Sequence, residues 1–241
     1  MPRLRVFAGP NGSGKSTIKD ELAPALIKTY VNADDLEKEA KATGFIDLSN
    51  FGITISLPEL IAFHAEHYLL IKKGLNSQAD RLGLLGSCVD YRNVRVDSYF
   101  ASVIADLIRQ RLLDEGISFT FETVMSHPGK VEFMRDAQAR GYRTYLYFVS
   151  TDNPDINVDR VGIRVQEGGH PVEPAKIRER YVKSLNLLPE AVAASDRAYI
   201  FDNSGNSAVV LAEITEGTHL QYRTEDIPDW FFQSYVDPVS G

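Results

Sequence analysis

Cysteine is almost missing from this chain: Cys88 stands alone among 241 residues. A disulfide scaffold is thereby excluded, and the fold has to hold without cross-links. Long apolar runs are lacking too. No stretch of about 18 apolar residues occurs, so no membrane-spanning helix is expected. The opening residues, MPRLRVFAGP, contain no apolar segment long enough for a secretory signal. Both absences lead to the expectation of a cytoplasmic protein. Positive charge is in deficit, with 26 Lys plus Arg against 33 Asp plus Glu and a formal net charge of −7. Non-specific nucleic-acid binding draws on a surplus of Lys and Arg, so nucleic acid is a poor candidate partner. Internal repeats, low-complexity tracts and an evident interdomain linker are absent as well. Hydrophobic residues make up 44% of the chain and charged residues 24%, enough apolar material for a core and too much for a disordered chain. A single α/β domain over residues 1–241 is the expectation.

Residues 3–8, RLRVFA, form a short apolar run that ends at Gly9 and reads as a buried central strand. GPNGSGKST follows at residues 9–17 and fits G-x-x-x-x-G-K-[ST], with Gly9, Gly14, Lys15 and Ser16 at the fixed positions. The chemistry demands this pattern. Backbone N–H groups along Gly9, Asn11, Gly12, Ser13, Gly14 and Thr17 have to curl around phosphates, and a Cβ at Gly12 or Gly14 would obstruct the curl. A helix starting near Lys15 turns its positive end toward the same anion. Lys15 then reaches the β- and γ-phosphates, and the Ser16 hydroxyl sits on Mg²⁺. ATP or GTP binding is expected here.

Residues 29–32, TYVN, read as a second strand, and LEKEAKATG as a helix ending at Gly44. Asp34 then falls at the carboxyl end of a strand, the edge where open α/β sheets bind ligands. It can take a proton from a substrate hydroxyl, ligate Mg²⁺, or cap the helix; Asp35 is the better candidate for the cap. Residues 45–56 read as loop and residues 57–73 as one helix with Leu57, Ile61, Ala65 and Tyr68 or Leu69 in a stripe. His64 and His67 on that helix make at most half a metal site and read as structural. Residues 74–96 show no firm pattern, so residues 45–96 are treated as an insertion, with Arg92 and Arg95 in a solvated patch. The clearest helix covers residues 97–115, with Asp97 as cap and Gly116 as stop.

ISFTF, residues 117–121, reads as a third strand with Glu122 and Thr123 at its carboxyl end, and a helix after Pro128 stops at Gly141. Glu122 suits two roles: accepting hydrogen bonds from sugar hydroxyls, or serving as the acid of Walker-B type that ends an apolar strand. RTYLYFV, residues 143–149, is a fourth strand. In the segment 153–186, Arg160 and Arg164 lie four apart and share one helix face. From residue 160 to 183, six Lys plus Arg meet three Glu, a local +3 inside a −7 chain. That is the character of a lid whose arginines neutralise a transferring phosphoryl group. Gly168 and Gly169 supply a break beside His170, while Arg178 and Arg180 read as surface ion pairs. AYIFDNS, residues 198–204, is a last strand expected beside the first, bringing Asp202 or Asn203 near a nucleobase. Residues 206–241 read as a hairpin turning at Glu216-Gly217 and a tail whose aromatics are exposed unless it packs back.

The order of these parts is distinctive: P-loop, NADD, FETV, the Arg segment with EGGH and IRERY, then FDNSG. It resembles the zeta toxin family of P-loop kinases, and more closely its shorter "predicted ABC-type ATPase" branch, over residues 3–205. The resemblance implies a P-loop NTPase-type parallel sheet flanked by helices, with a helical insertion and an Arg-bearing lid. It implies ATP and Mg²⁺ as cofactors and transfer of the γ-phosphoryl to a hydroxyl of a nucleotide-sugar such as UDP-N-acetylglucosamine. It also implies a toxin with an antitoxin protein as partner. Carried over by residue, Lys15 and Ser16 hold ATP and Mg²⁺, Asp34 is the base, Glu122 and Thr123 hold the acceptor sugar, and Arg160 and Arg164 are lid arginines. The spacing of Arg164 and the longer stretch between Asp34 and Glu122 depart from the better-known toxins, and both departures bear on the acceptor. Two other classes compete. An ATPase of ABC type needs an LSGGQ-like signature, which the chain lacks, and a polynucleotide kinase sits badly with the acidic balance.

Overall fold

The computed structural model describes residues 1–169 and 171–240. His170, placed by sequence at the break in the Arg segment, lies outside the described residues. In chain order the elements are β1 (Arg3–Ala8), α1 (Lys15–Glu21), α2 (Pro24–Ile27), β2 (Thr29–Val31), α3 (Ala33–Thr43), β3 (Phe45–Asp47), α4 (Leu57–Glu66), α5 (Tyr68–Lys73), β4 (Gly83–Leu85), β5 (Cys88–Asp90) and α6 (Ser98–Asp114). Then come β6 (Phe119–Thr123), α7 (Gly129–Ala139), β7 (Arg143–Ser150), α8 (Pro154–Gln166), α9 (Pro174–Asn186), α10 (Leu188–Ala193), β8 (Arg197–Asp202), β9 (Val209–Thr215) and β10 (His219–Tyr222), followed by helical turns over residues 229–240. Two compact units result, Met1–Lys28 with Ser118–Gly241, and Thr29–Ile117. The second unit is wider than the 45–96 stretch that sequence marks as an insertion.

In the first unit the strands run in the order β10-β9-β8-β7-β1-β6. β6, β1, β7 and β8 are parallel, and β9 and β10 add an antiparallel edge. The central strands are buried on both faces, as expected for β1. Leu4, Val6, Leu146, Phe148 and Ile200 are buried, and so are Phe7 and Tyr147, which stack in a row with Tyr199 across neighbouring strands. Ile18 of α1 completes a cluster with Phe7, Tyr147, Val149 and Phe201, so the helix after the Gly-rich loop is pinned to the sheet. Each such fully buried side chain contributes about 1.5–3 kcal/mol. β8 pairs with β7 and β9, not with β1 as expected from sequence. β7 occupies that place instead, matching Arg3–Ala8 residue for residue from Arg143 to Phe148. Glu216 and Gly217 both take positive φ and turn β9 into β10, as the hairpin requires. The tail packs back: Trp230, Phe231 and Tyr235 are buried.

In the second unit β3, β5 and β4 form a small antiparallel sheet, where a loop and a stretch without firm pattern were expected. The stripe over residues 57–73 is two helices, α4 and α5, because His67 leaves the helical region with ψ 126°. Its Nδ1 accepts the Leu69 N–H at 3.3 Å and its Nε2 pairs with Asp106 at 3.3 Å, which replaces the helical bonds lost at the break. His64 is fully buried, with Nδ1 2.8 Å from the Leu60 carbonyl and Nε2 3.2 Å from the Tyr91 hydroxyl. Both histidines are therefore structural, and the described residues contain no group of three or more His, Cys, Asp or Glu suited to a metal ion. Arg92 is exposed, as expected, and is also ion-paired: its fork bonds Asp90 at 3.0 and 2.8 Å, and its guanidinium lies 4.7 Å from the Phe45 ring centre. Asp97 caps α6 as expected, accepting the N–H groups of Tyr99 and Phe100. No helix of the described residues is long and apolar enough to cross a membrane.

Candidate active site

The Gly-rich loop leaves the end of β1, in the middle of the parallel strands, and feeds α1. Gly14 caps α1 at φ 92°, a conformation that an L side chain resists. A Cβ there would also run into Asn203 Nδ2. At Gly12 the φ is 76°, and a Cβ would lie 2.6 Å from the Asn157 carbonyl oxygen. These two positions need glycine both for backbone hand and for space.

Lys15 is buried, with its Nζ donating to the carbonyls of Gly9 at 3.0 Å and Pro10 at 2.9 Å. The parallel register sets Glu122 opposite Phe7 and Thr123 opposite Ala8, so the end of β6 lies level with the start of the loop. There the Ser16 hydroxyl donates to Glu122 Oε2 at 3.1 Å, and Glu122 Oε1 lies 3.9 Å from Lys15 Nζ. The carboxylate that ends β6 thus touches both the P-loop serine and the neighbourhood of the P-loop lysine. Thr123 turns its Oγ1 onto its own loop, accepting the Met125 N–H at 3.1 Å where Met125 holds φ 53°. Thr17 is exposed on the first turn of α1. Ser13 is fully buried, and its Oγ has no hydrogen-bond partner among the described residues. A buried unpaired hydroxyl costs about 1–3 kcal/mol.

Three side chains clamp the loop from outside. Asn157 on α8 is fully buried and donates from Nδ2 to the Asn11 carbonyl at 2.7 Å, while Thr151 donates to its Oδ1. Asn203, just past β8, donates to the Ser13 carbonyl at 2.8 Å. Arg180 on α9 donates to Asn11 Oδ1 at 3.3 Å. Arg160 does not reach the cradle directly. Its guanidinium donates to the carbonyls of Asn203 at 2.7 Å and Gly205 at 3.1 Å, bracing the loop that carries Asn203. Arg164 is exposed, and its carbonyl accepts the Gly169 N–H at 2.8 Å, closing the end of α8. Arg178 behaves as a surface ion pair with Asp155. Asn157, Asn203 and Arg180 are not legible as cradle residues in the sequence. The only signal for Arg180 is its place in IRERY, one residue before a tyrosine on a buried helical stripe.

Asp34 belongs to the second unit. It stands exposed in the first turn of α3, and its N–H is held by Asn32 Oδ1 at 2.9 Å. Asn32, not Asp35, is the cap of that helix, since its side chain sits at the extended residue before the first turn.

A phosphate cradle between a central parallel strand and a helix, with a buried lysine and a serine–carboxylate pair, defines the P-loop nucleotide-binding class. Its members share the fold with many partners and chemistries, and comparison narrows the class. Residues 84–215, more than half of the chain, match the family model of the zeta toxin, so the chain belongs to the zeta toxin family. The matched stretch holds β6 with Glu122 and the arginine segment; the P-loop lies before it. Among solved structures, a crystal structure of AvrRxo1-ORF1:-ORF2 with ATP aligns with a TM-score of 0.54 at 15% identity, over 92% of this chain and 61% of that one. The PezAT chromosomal toxin-antitoxin system of the human pathogen Streptococcus pneumoniae aligns with a TM-score of 0.53 at 15% identity, over 98% of this chain and 79% of that one. At such identity the likeness is one of fold. An uncharacterized protein of Haemophilus influenzae is 26% identical over 69 residues, 29% of this chain and 49% of that protein. The chain thus spans about half the length of the curated relative it matches.

Proposed function

We propose that the chain is an ATP-dependent phosphotransferase that moves the γ-phosphoryl of ATP to a hydroxyl of a nucleotide-sugar such as UDP-N-acetylglucosamine. We further infer that it acts in the cytoplasm as the toxin of a toxin–antitoxin pair, with an antitoxin protein as partner. The contact that supports phosphoryl transfer most directly is the Ser16–Glu122 hydrogen bond at the mouth of the cradle, beside Lys15. The glycine-lined turns at Gly12 and Gly14 fit a polyphosphate, and the hydroxyl–carboxylate pair is the donor set that Mg²⁺ takes. Bound there, the metal would supply charge neutralisation across the phosphates. Lys15 would leave its loop carbonyls to bind the outer phosphates, and Ser16 and Glu122 would hold the metal. Asp34 would take the proton of the acceptor hydroxyl, and Thr123 would hold the acceptor. Catalysis in this class is mostly positioning and charge compensation. The ATP held by the AvrRxo1 complex supports the choice of donor, and the toxin–antitoxin origin of the PezAT structure supports the partner.

The test is transfer from γ-labelled ATP to a panel of nucleotide-sugars, nucleosides and oligonucleotides. Label is expected on a nucleotide-sugar. Label on oligonucleotide ends instead would make the chain a polynucleotide kinase, and free phosphate alone would make it an ATPase. Asp34→Asn is expected to keep ATP affinity and lose about 10²–10⁴-fold in transfer. Transfer at the unmodified rate would remove Asp34 from the base role. Growth arrest on expression should depend on Lys15 if the chain is a toxin.

A further inference from the structure

Two asparagines grip the phosphate loop, and both grip it by a backbone carbonyl. Asn157 Nδ2 donates to the Asn11 carbonyl at 2.7 Å, and Asn203 Nδ2 donates to the Ser13 carbonyl at 2.8 Å. A carbonyl only accepts, so each side-chain amide has to turn its NH₂ group toward the loop. Each gripped carbonyl shares a peptide plane with the N–H of the next residue, Gly12 in one case and Gly14 in the other. In a trans peptide the C=O and N–H of one plane point in opposite directions, and the described residues contain no cis peptide. Holding the carbonyls of Asn11 and Ser13 against the asparagines therefore turns the Gly12 and Gly14 N–H groups away from them. Neither of these N–H groups donates to an acceptor among the described residues.

Both grips are anchored at one strand end. Asn157 is fully buried on α8, and Thr151, the residue after β7, donates to its Oδ1. Asn203 gives its own N–H to the carbonyl of Ser150, the last residue of β7, at 2.8 Å. Its carbonyl accepts the Arg160 guanidinium at 2.7 Å. β7 pairs in register with β1, the strand that runs into the loop. Loop and grips thus hang from two adjacent strands, which sets the two peptide planes before any ligand arrives. Donors fixed in this way have little orientational freedom left to lose when an anion binds.

We infer that Asn157 and Asn203 are positioning residues with one amide donor each: Asn157 aims the Gly12 N–H and Asn203 aims the Gly14 N–H at the phosphates of the nucleotide, without either side chain touching it. This deepens the phosphotransferase reading and rests on a nucleotide occupying residues 9–17.

The test titrates the full chain, carrying isotope-labelled glycine, with ADP and ATP. The variants are Asn157→Ala, Asn203→Ala and Asn203→Asp, with Arg178→Ala as a control on the surface of α9. In the unmodified chain the Gly12 and Gly14 amide proton resonances should move downfield as nucleotide binds. Asn203→Ala should abolish most of the Gly14 displacement and keep that of Gly12, and Asn157→Ala should do the reverse. By calorimetry each alanine variant should weaken ADP and ATP by the same factor, about threefold to tenfold, the worth of one hydrogen bond. Asn203→Asp should weaken both further, because its carboxylate oxygen would face the Ser13 carbonyl with no proton to donate. Arg178→Ala should stay within about twofold for either nucleotide, since its exposed pair with Asp155 contributes little. Thermal unfolding reports which variants are folded. Asn203 is only half-buried, so its two variants decide the matter if Asn157→Ala fails to fold. Unchanged nucleotide affinity in Asn203→Ala, or loss of both glycine displacements together in a folded variant, would overturn the assignment while leaving nucleotide binding in place. Failure of the unmodified chain to bind either nucleotide would overturn the phosphotransferase reading, and the inference with it.

Discussion

His64 gives the chain a pH dependence whose size and window follow from its surroundings. Its ring is fully buried between the Leu60 carbonyl and the Tyr91 hydroxyl. Burial holds its pKa down from 6.5 to about 4. The hydrogen bonds fit the neutral ring: Nδ1–H donates to the carbonyl and Nε2 accepts from the hydroxyl, which burial keeps protonated. Between these two pKa values the unfolded chain binds a proton that the folded chain does not. Stability therefore falls as pH drops from 6.5 toward 4 and levels off below. The full shift corresponds to about 3 kcal/mol, and lowering the pH from 7 to 5 realises about 2 kcal/mol of it. Carboxylates with lowered pKa values, Asp47, Glu59 and Asp90, act in the same direction from their ordinary values of 3.8 to 4.5 downward, below the interval from pH 7 to 5. Urea denaturation at pH 7 and pH 5 measures the loss, and His64→Gln supplies the comparison, since its amide gains no proton. The variant should start lower but lose about 2 kcal/mol less than the unmodified chain over the same interval. Equal losses in the two proteins would refute the buried neutral imidazole as the source.

Two further outcomes concern the cradle. Glu122→Gln keeps an acceptor for the Ser16 hydroxyl but removes the charge beside Lys15. Metal-dependent transfer should drop about 10–100-fold while metal-free ATP binding persists, and a rate insensitive to the change would place the metal elsewhere. Gly14→Ala puts a side chain at φ 92° and against Asn203. The left-handed backbone alone costs about 1–2 kcal/mol, or roughly 2–8 °C of melting temperature, and ATP affinity should be lost. An alanine variant binding ATP normally would mean that the cradle does not need that turn.

The P-loop is readable because its constraints are local: two glycines, a lysine and a hydroxyl at fixed spacing, between an apolar run and a helix. Glu122 is readable for a related reason, since a carboxylate closing an apolar strand falls at the ligand edge of a parallel sheet. Strand order is not. β7 and β8 are both short apolar runs, and nothing in either says which lies against β1. Helix ends are less legible than helix bodies. Asn32 outcompetes Asp35 as a cap because it occupies the extended residue before the turn, and His67 breaks a stripe that periodicity alone carries straight through. Arg180 reads as a surface charge because its partner Asn11 is 169 residues away in sequence. Contacts of that separation come from how helices seat on a sheet, which residue spacing does not encode.

The chain has a single tryptophan, and it sits at an informative place. Trp230 is buried in the returning tail, with its indole Nε1–H donating at 2.9 Å to Asp202, the last residue of β8. The next residue along is Asn203, whose side chain grips the Ser13 carbonyl. Tryptophan emission from this protein therefore originates at one spot, hydrogen-bonded to the residue that precedes the clamp on the phosphate loop. Ligand entry can be followed by fluorescence without any label, and a nucleotide that tightens the clamp has an optical reporter already built in.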